Sequence, residues 1–289
     1  MRSTDETFLE VLRTYLEPFR VNGEQERPPG VLFSAYCGTD RELPGGRLVR
    51  GKRQLFFSYL RIYNGRHDDE MAARLIGFAR EAATQLSNEF VRFRAAAVAT
   101  ESGALMLPSP PEPRLPTLAA LMVRSGARYL GDEMVNVDPI LHRLHGLRLP
   151  LLLPSADLEL FPELYRERGR RRLDEPLDET VRAVTPRRVV SPEELGSAAA
   201  EPTPLGWIVF PVFEEGAETR LEPYGGAEAI FAFTQAVLNL HVWEDRTLAL
   251  LKDLLESMPV SRLIIGSVEE AAGLLLETAP TMLSEGVNP

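Results

Sequence analysis

The segment Ala104–Val137 constrains this chain more than any other. Ala104-Leu-Met-Leu107 is a short apolar run with the character of a strand. Pro108-Ser-Pro-Pro-Glu-Pro-Arg-Leu-Pro116 follows it. Next come the helix-forming stretch Thr117–Arg124, then Gly126, then a second strand that ends at the acidic pair Asp132-Glu133. Strand, loop, helix, glycine and strand make a βαβ frame. In such a frame the loop after the first strand is where a P-loop cradles phosphate, using glycines, free backbone N–H groups and a lysine. This loop has no glycine and no lysine. Pro108, Pro110, Pro111, Pro113 and Pro116 each remove one N–H donor. The frame predicts an α/β architecture in which ordinary nucleotide chemistry has been lost or rebuilt.

Composition narrows the class. A chain of 289 residues with 44% hydrophobic and 26% charged residues supports one large or two small globular domains with a true core. The apolar runs are too short to span a bilayer, and the polar start Met-Arg-Ser-Thr-Asp-Glu-Thr lacks a signal-peptide core. The expectation is a cytoplasmic protein without a membrane partner. Cys37 is the one cysteine, so it forms no internal disulfide, which fits a reducing compartment. It reads as a buried thiol in the apolar run Val31–Cys37. The net charge of −10 opposes nucleic-acid binding, which needs a basic footprint. The five arginines between Arg166 and Arg172 read as a solvated helix face. Lys52 and Lys252 are the two lysines against 30 arginines. Any phosphate contact that needs an amine must use one of them or fall to an arginine.

Patterning along the chain predicts the remaining elements. Residues 6–19 have helical spacing of Phe8, Leu12, Tyr15 and Phe19. Pro28-Pro29-Gly30 breaks the chain. Val31–Tyr36, Arg47–Val49 and Gln54–Ile62 read as strands, with Pro44-Gly45-Gly46 as a turn. Residues 68–89 form an amphipathic helix that starts on Asp68 and Asp69. Val91–Thr100 is a strand, turning at Ser102-Gly103 into the frame described above. Residues 155–204 read as a long surface excursion with short helices. Trp207–Phe213 is a central strand whose aromatics pack in the core. Helices are expected at Ala227–Leu240, Thr247–Ser257 and Val268–Thr278, with a strand at Leu263–Ile265. The expected division is an α+β segment over 1–66 packed on the main domain, a main domain over 67–280, and a tail over 281–289.

Taken in order, these motifs resemble the catalytic domain of the HPr serine kinase family and its wider group of HPr kinase-like proteins. The resemblance runs over about residues 68–278. It rests on Val91–Val98, Gly103–Pro108, Thr117-Leu-Ala-Ala-Leu121, Gly126-Ala-Arg-Tyr-Leu-Gly-Asp-Glu133, Trp207–Phe213 and Leu221-Glu-Pro-Tyr224; Thr117–Asp138 is the specific part. It implies a P-loop α/β domain with a mixed sheet, similar to phosphoenolpyruvate carboxykinase. Aligning Thr117-Leu118 with the start of the family's helix puts Leu115 at the lysine position. Pro116 then takes the Ser/Thr position that meets Mg²⁺, Arg114 the last glycine, and Glu112 an earlier glycine. Arg94 takes the place of a frequent histidine. Asp132 and Glu133 match the pair that binds Mg²⁺ or acts as base beside the acceptor hydroxyl. The family's later glutamate-glycine loop has no counterpart.

The candidate residues each carry two readings. Asp132 and Glu133 are a base and Mg²⁺ site, or an inherited polar pair without chemistry. Arg114 and Thr117 are the remains of a nucleotide site; Arg114, as the loop's one cation, contacts an anion bidentately or is simply solvated. His142 and His145, three apart, share a face if the turn is helical, but the pattern lacks the partners of a zinc motif. Lys52 reads as a surface lysine in a hairpin turn. Gly225-Gly226 opens a helix and is either an anion-facing turn or a structural one.

Two functions follow from the resemblance. The first is a pseudokinase that has lost its phosphate-binding loop, needs no cofactor and binds a protein or peptide partner. The second is an active ATP-dependent serine or peptide kinase with a noncanonical nucleotide site, using Mg-ATP with Asp132 and Glu133. A homo-oligomer is open on the same resemblance.

Overall fold

The computed structural model describes residues 2–16, 32–44, 46–86, 89–147, 149–166 and 187–285. The chain divides into two compact units, one of Met1–Ala82 with Leu152–Val190 and one of Ala83–Leu151 with Ser191–Pro289. The sequence reading puts a boundary at 66/67; in the structure it falls inside a helix, and Leu152–Val190 joins the N-terminal residues. Patterning sees local periodicity and has no view of which distant segments share a core.

In the smaller unit, β1 (Arg2–Ser3) and α1 (Glu6–Leu16) precede β2 (Phe33–Cys37), β3 (Arg41–Leu43), β4 (Arg47–Val49), β5 (Arg53–Phe57), β6 (Leu60–Gly65) and α2 (Asp68–Leu86). The main sheet has the order β1-β2-β5-β6, and β3 and β4 form a separate hairpin. The span Gln54–Ile62 is two strands and not one, because Ser58 takes φ +52 and reverses the chain through Ser58-Tyr59. That left-handed turn lacks the usual glycine, which is why the sequence hides it. Phe8, Leu12 and Tyr15 of α1, Phe33, Ala35 and Leu55 of the sheet, and Met71, Leu75 and Ile76 of α2 are all buried. Arg53 is 5% exposed. Its Nε donates to Asp68 Oδ1 at 2.7 Å and its Nη1 to the Gly38 carbonyl at 2.7 Å, with Asp40 at 3.2 Å. This charge-assisted set fastens β5 to the start of α2.

The larger unit begins with β7 (Val91–Phe93) and β8 (Ala95–Ala99). The expected single strand Val91–Thr100 is broken at Arg94, whose N–H donates to Ala236 O and whose carbonyl accepts from Ser109 N. Next come β9 (Ala104–Pro108), α3 (Leu115–Arg124), β10 (Arg128–Gly131), β11 (Val135–Val137) and β12 (Arg143–Gly146). Then β13 (Leu151–Pro154), α4 (Glu163–Arg166) and β14 (Arg187–Val190) interrupt the unit. Residues 155–204 are more than the expected surface excursion: Leu158, Phe161, Leu164, Val189, Val190 and Leu195 are buried. Most of the run Arg166–Arg172, like Phe19, Pro28-Pro29-Gly30 and Gly45, lies outside the described residues.

The unit closes with β15 (Thr203–Phe213), β16 (Arg220–Pro223), α5 (Gly226–Ala236), α6 (Leu240–Trp243), α7 (Asp245–Ser257), β17 (Val260–Ile265) and α8 (Val268–Glu285). The expected helix Ala227–Leu240 stops at Ala236, where Val237 turns extended. The expected tail from 281 is helical as far as Glu285. Leu283 is 1% exposed and lies over Gly103 and Gly206, which explains why α8 runs past Pro280.

The sheet is mixed, in the order β10-β8-β9-β15, and divides at β15. The start of β15 pairs antiparallel with β12, which continues through β11 to β7. Its later residues pair parallel with β17, and β17 carries β16. β9, β15 and β17 are mutually parallel. β8 lies antiparallel between β9 and β10, so β9 and β10 run the same way. The expected βαβ frame is thus present, with α3 crossing one intervening strand. Ala104 and Met106 join a core cluster with Phe233, Leu251 and Leu254 of α5 and α7. Strand alternation turns Leu105 and Leu107 to the other face, where α3 and α8 pack on each other.

Candidate functional site

All five residues of β9 are buried, and the loop that leaves its C-terminal end is held by its own atoms. Ser109 is 2% exposed, and its N–H donates to Arg94 O at 3.1 Å. Further on, the Arg114 N–H donates to the Glu112 carboxylate at 3.1 Å, and the Leu115 N–H to the Glu112 carbonyl at 3.2 Å. Pro116 supplies no N–H. The first donors of α3 are spent on one glutamate. A carboxylate of the chain thus accepts the N–H just before the helix.

The candidate residues do not gather at one point. Thr117 is fully buried within α3, as is every residue from Leu115 to Val123. Asp132 is 1% exposed, and the Tyr129 hydroxyl donates to its Oδ1 at 2.8 Å. Glu133 is half-buried, and its carbonyl accepts from Ala95 N at 3.2 Å. The acidic pair does stand at the C-terminal end of β10, the edge where α/β sheets place their chemistry. Arg114 is exposed and lines a cleft of about 460 Å³ together with Phe213, Glu214, Glu215, Ile265 and Gly266. Neither Thr117, Asp132 nor Glu133 is in that lining.

The cleft is framed by the C-terminal ends of the parallel strands β15 and β17. Sequence reading took Phe213 only as core and passed over Glu214-Glu215. The signal was there: an acidic pair directly after the longest of the described strands, at the end where such sheets bind ligands. The turn after β15 is ordered by Glu214 N to Ile265 O at 3.0 Å and Ala217 N to Glu214 O at 3.2 Å, with Gly216 at φ +77. Thr219 Oγ1 accepts from the Gly266 and Ser267 N–H groups at 3.2 and 3.1 Å. The donors at the end of β17 are therefore also taken by the chain itself.

The other singled-out groups lie elsewhere. His142 occupies a left-handed turn at φ +50 and pairs with Asp253 at 3.2 Å, whereas His145 is in β12 against the Phe90 ring at 4.6 Å. The helical turn that would put both on one face is absent. Among the described residues no three His, Cys, Asp or Glu side chains are grouped to hold a metal ion. Asp138 shapes that turn: its carboxylate accepts from the Ile140 and Leu141 N–H groups at 2.8 and 2.9 Å, which hold its pKa below the ordinary aspartate value. Gly225 is extended and Gly226 left-handed at φ +64, so it is Gly226 that the backbone of the turn needs. Lys52 is exposed, next to the Gly38–Lys52 backbone bond. Burial pushes the Cys37 thiol up to about 11, which keeps it protonated and unreactive near neutrality. Trp207 and Phe210 are core residues as expected: Trp207 Nε1 donates to Ser261 Oγ at 3.2 Å, and Phe210 stacks edge-on to Phe233 and Tyr224.

Comparison with family models, curated proteins and solved structures gave no match. Within the described residues no helix is long and apolar enough to cross a membrane.

Proposed function

We propose that this chain is an HPr kinase-like pseudokinase that has lost its phosphate-binding loop and acts by binding a protein or peptide partner. One observation carries the reading: the Glu112 carboxylate accepts the Arg114 N–H at the start of α3, where a nucleotide phosphate would need that donor. Phosphoryl transfer depends almost wholly on positioned positive groups and N–H donors around the phosphates. Here five prolines remove donors and a carboxylate repels the anion. The burial of Asp132 beneath the Tyr129 hydroxyl supports a structural role for the acidic pair.

The alternative is an ATP-dependent serine or peptide kinase that uses Asp132 and Glu133 with Mg²⁺. It draws on the position of the pair at the C-terminal end of β10. It requires the loop to open, Asp132 to become accessible and arginines such as Arg114 to replace the lysine. A cytoplasmic location, the absence of a nucleic-acid partner and self-association in the manner of HPr kinases belong to the proposal; mass in solution tests the last.

A thermal shift series with Mg²⁺ plus ATP, GTP or pyrophosphate tests the first reading. A ligand at 100 times its Kd stabilises the folded state by about 2.7 kcal/mol. The expected outcome is no shift with any of the three. A clear shift with one of them, lost in Asp132→Asn, replaces the pseudokinase by the kinase.

A further inference from the structure

The cleft at the ends of β15 and β17 has a chemistry of its own. Two apolar residues line it, the half-buried Phe213 and the buried Ile265. Its rim carries two carboxylates, Glu214 and Glu215, and one guanidinium, Arg114, all exposed. Among the described residues none of these three side chains has an ion-pair or hydrogen-bond partner. They surround one cleft and stay apart, so its opening is not closed by its own charges. The nearby backbone donors are not on offer to an anion. Glu112 holds the Arg114 N–H, and Thr219 holds those of Gly266 and Ser267. An anionic ligand would meet two carboxylates against one arginine and would find these N–H groups already bonded.

We propose that this cleft receives an extended peptide segment of the partner that carries a lysine or arginine side chain. The aliphatic stem of such a residue lies on Phe213 and Ile265, and its cationic head reaches Glu214 and Glu215. Arg114, across the opening, takes a carbonyl oxygen of the peptide. A volume near 460 Å³ accommodates one long side chain with the backbone beside it. The backbone of the turn Glu214–Ala217 is fixed by its own hydrogen bonds, so only the two glutamate side chains need be ordered on binding. This deepens the proposal of a partner-binding module and rests on it.

The test uses fluorescence polarisation of the full chain with three labelled peptides of about a dozen residues. One contains lysine and arginine among alanine, glycine and serine, one has glutamine in their place, and one has glutamate. The expected result is binding of the cationic peptide at least about tenfold tighter than the glutamine peptide. In the double variant Glu214→Gln, Glu215→Gln that advantage disappears, and Phe213→Ala weakens binding further. Glu256→Gln, on α7, leaves the affinity unchanged and controls for overall charge. Equal binding of the cationic and glutamine peptides, an unaffected double variant, or binding of none of the three overturns the inference. The first two of these outcomes still leave a peptide-binding module. A nucleotide-dependent thermal shift is the separate result that would sink the module reading itself.

Discussion

Two helices of the larger unit, α3 and α5, each follow a strand by a short loop, and the loops differ in kind. α3 follows prolines and a glutamate whose carboxylate takes the Arg114 N–H just before the helix, itself has no side-chain cap, and is buried from Leu115 to Val123. α5 starts from Gly225 and Gly226, has no side-chain cap, and leaves Phe231 68% exposed on its outer face. The glycine-rich entry looks like the anion site and the proline-rich one does not, yet it is the proline-rich entry that follows the first strand of the βαβ frame. The pair teaches that a position in the fold does not dictate the local chemistry. The βαβ frame is held by the packing of α3, while the loop before it bonds to its own chain.

The sharpest way to break this contrast is to remove packing from both helices. Leu118→Ala, at a fully buried position, is expected to cost about 2–5 kcal/mol in urea unfolding. Phe231→Ala is expected to change stability by less than about 0.5 kcal/mol. A large loss at Phe231 would mean that the outer face of α5 is covered in solution. The glycine entry is tested next. Gly226→Ala forces a side chain into the left-handed region and is expected to cost about 1–2 kcal/mol. Gly225→Ala, at an extended residue with open space around it, is expected to be close to neutral. If both substitutions cost the same, the turn is not held by backbone conformation.

A smaller effect is expected at the proline entry. Glu112→Ala leaves the Arg114 N–H without its carboxylate and is expected to cost about 0.5–1.5 kcal/mol in the same assay. No change would mean that water replaces the carboxylate freely, and it would weaken the case that the loop is self-occupied. The smallest is a pH effect at Asp138. The Leu141 and Ile140 N–H groups lower its folded pKa. Its stabilising contribution is therefore full above the ordinary aspartate value of about 4 and is lost as pH falls through the lower folded value. Wild type and Asp138→Ala, unfolded in urea across that range, should differ at neutral pH and converge in acid. A difference that stays constant into acid would show that the carboxylate charge is not involved.

The frame was legible because it depends on local signals: the apolar run Ala104–Leu107, the helix former after Pro116, and Gly126 at φ +106 closing α3. Breaks that depend on partners were not. Arg94 interrupts a strand because Ala236 and Ser109 bond to its backbone, and both are remote from it in pattern. Ser58 turns a hairpin with no glycine to announce it. The same division runs through the candidate site. Arg114 stood out as the single cation of its loop, while Glu214 and Glu215 gain meaning only when β17 brings Ile265 and Gly266 beside them. In sequence Asp132 is open between a base and Mg²⁺ site and a polar pair without chemistry, and only the fold puts it under the Tyr129 hydroxyl.

The central position of β15 has a consequence for how the chain is made. β8 has both its partners, β9 and β10, close by in sequence, but the second edge of β9 waits for a strand that begins at Thr203. About a hundred residues separate them, including Leu152–Val190, which belong to the other unit. At ribosomal rates of about 5–20 residues per second that edge stays open for roughly 5–20 s. An apolar edge left unpaired is a template for joining with another chain. On this argument the vulnerable form of the chain is the nascent one between β10 and β15, while the apolar edge Ala104–Leu107 waits for its second neighbour.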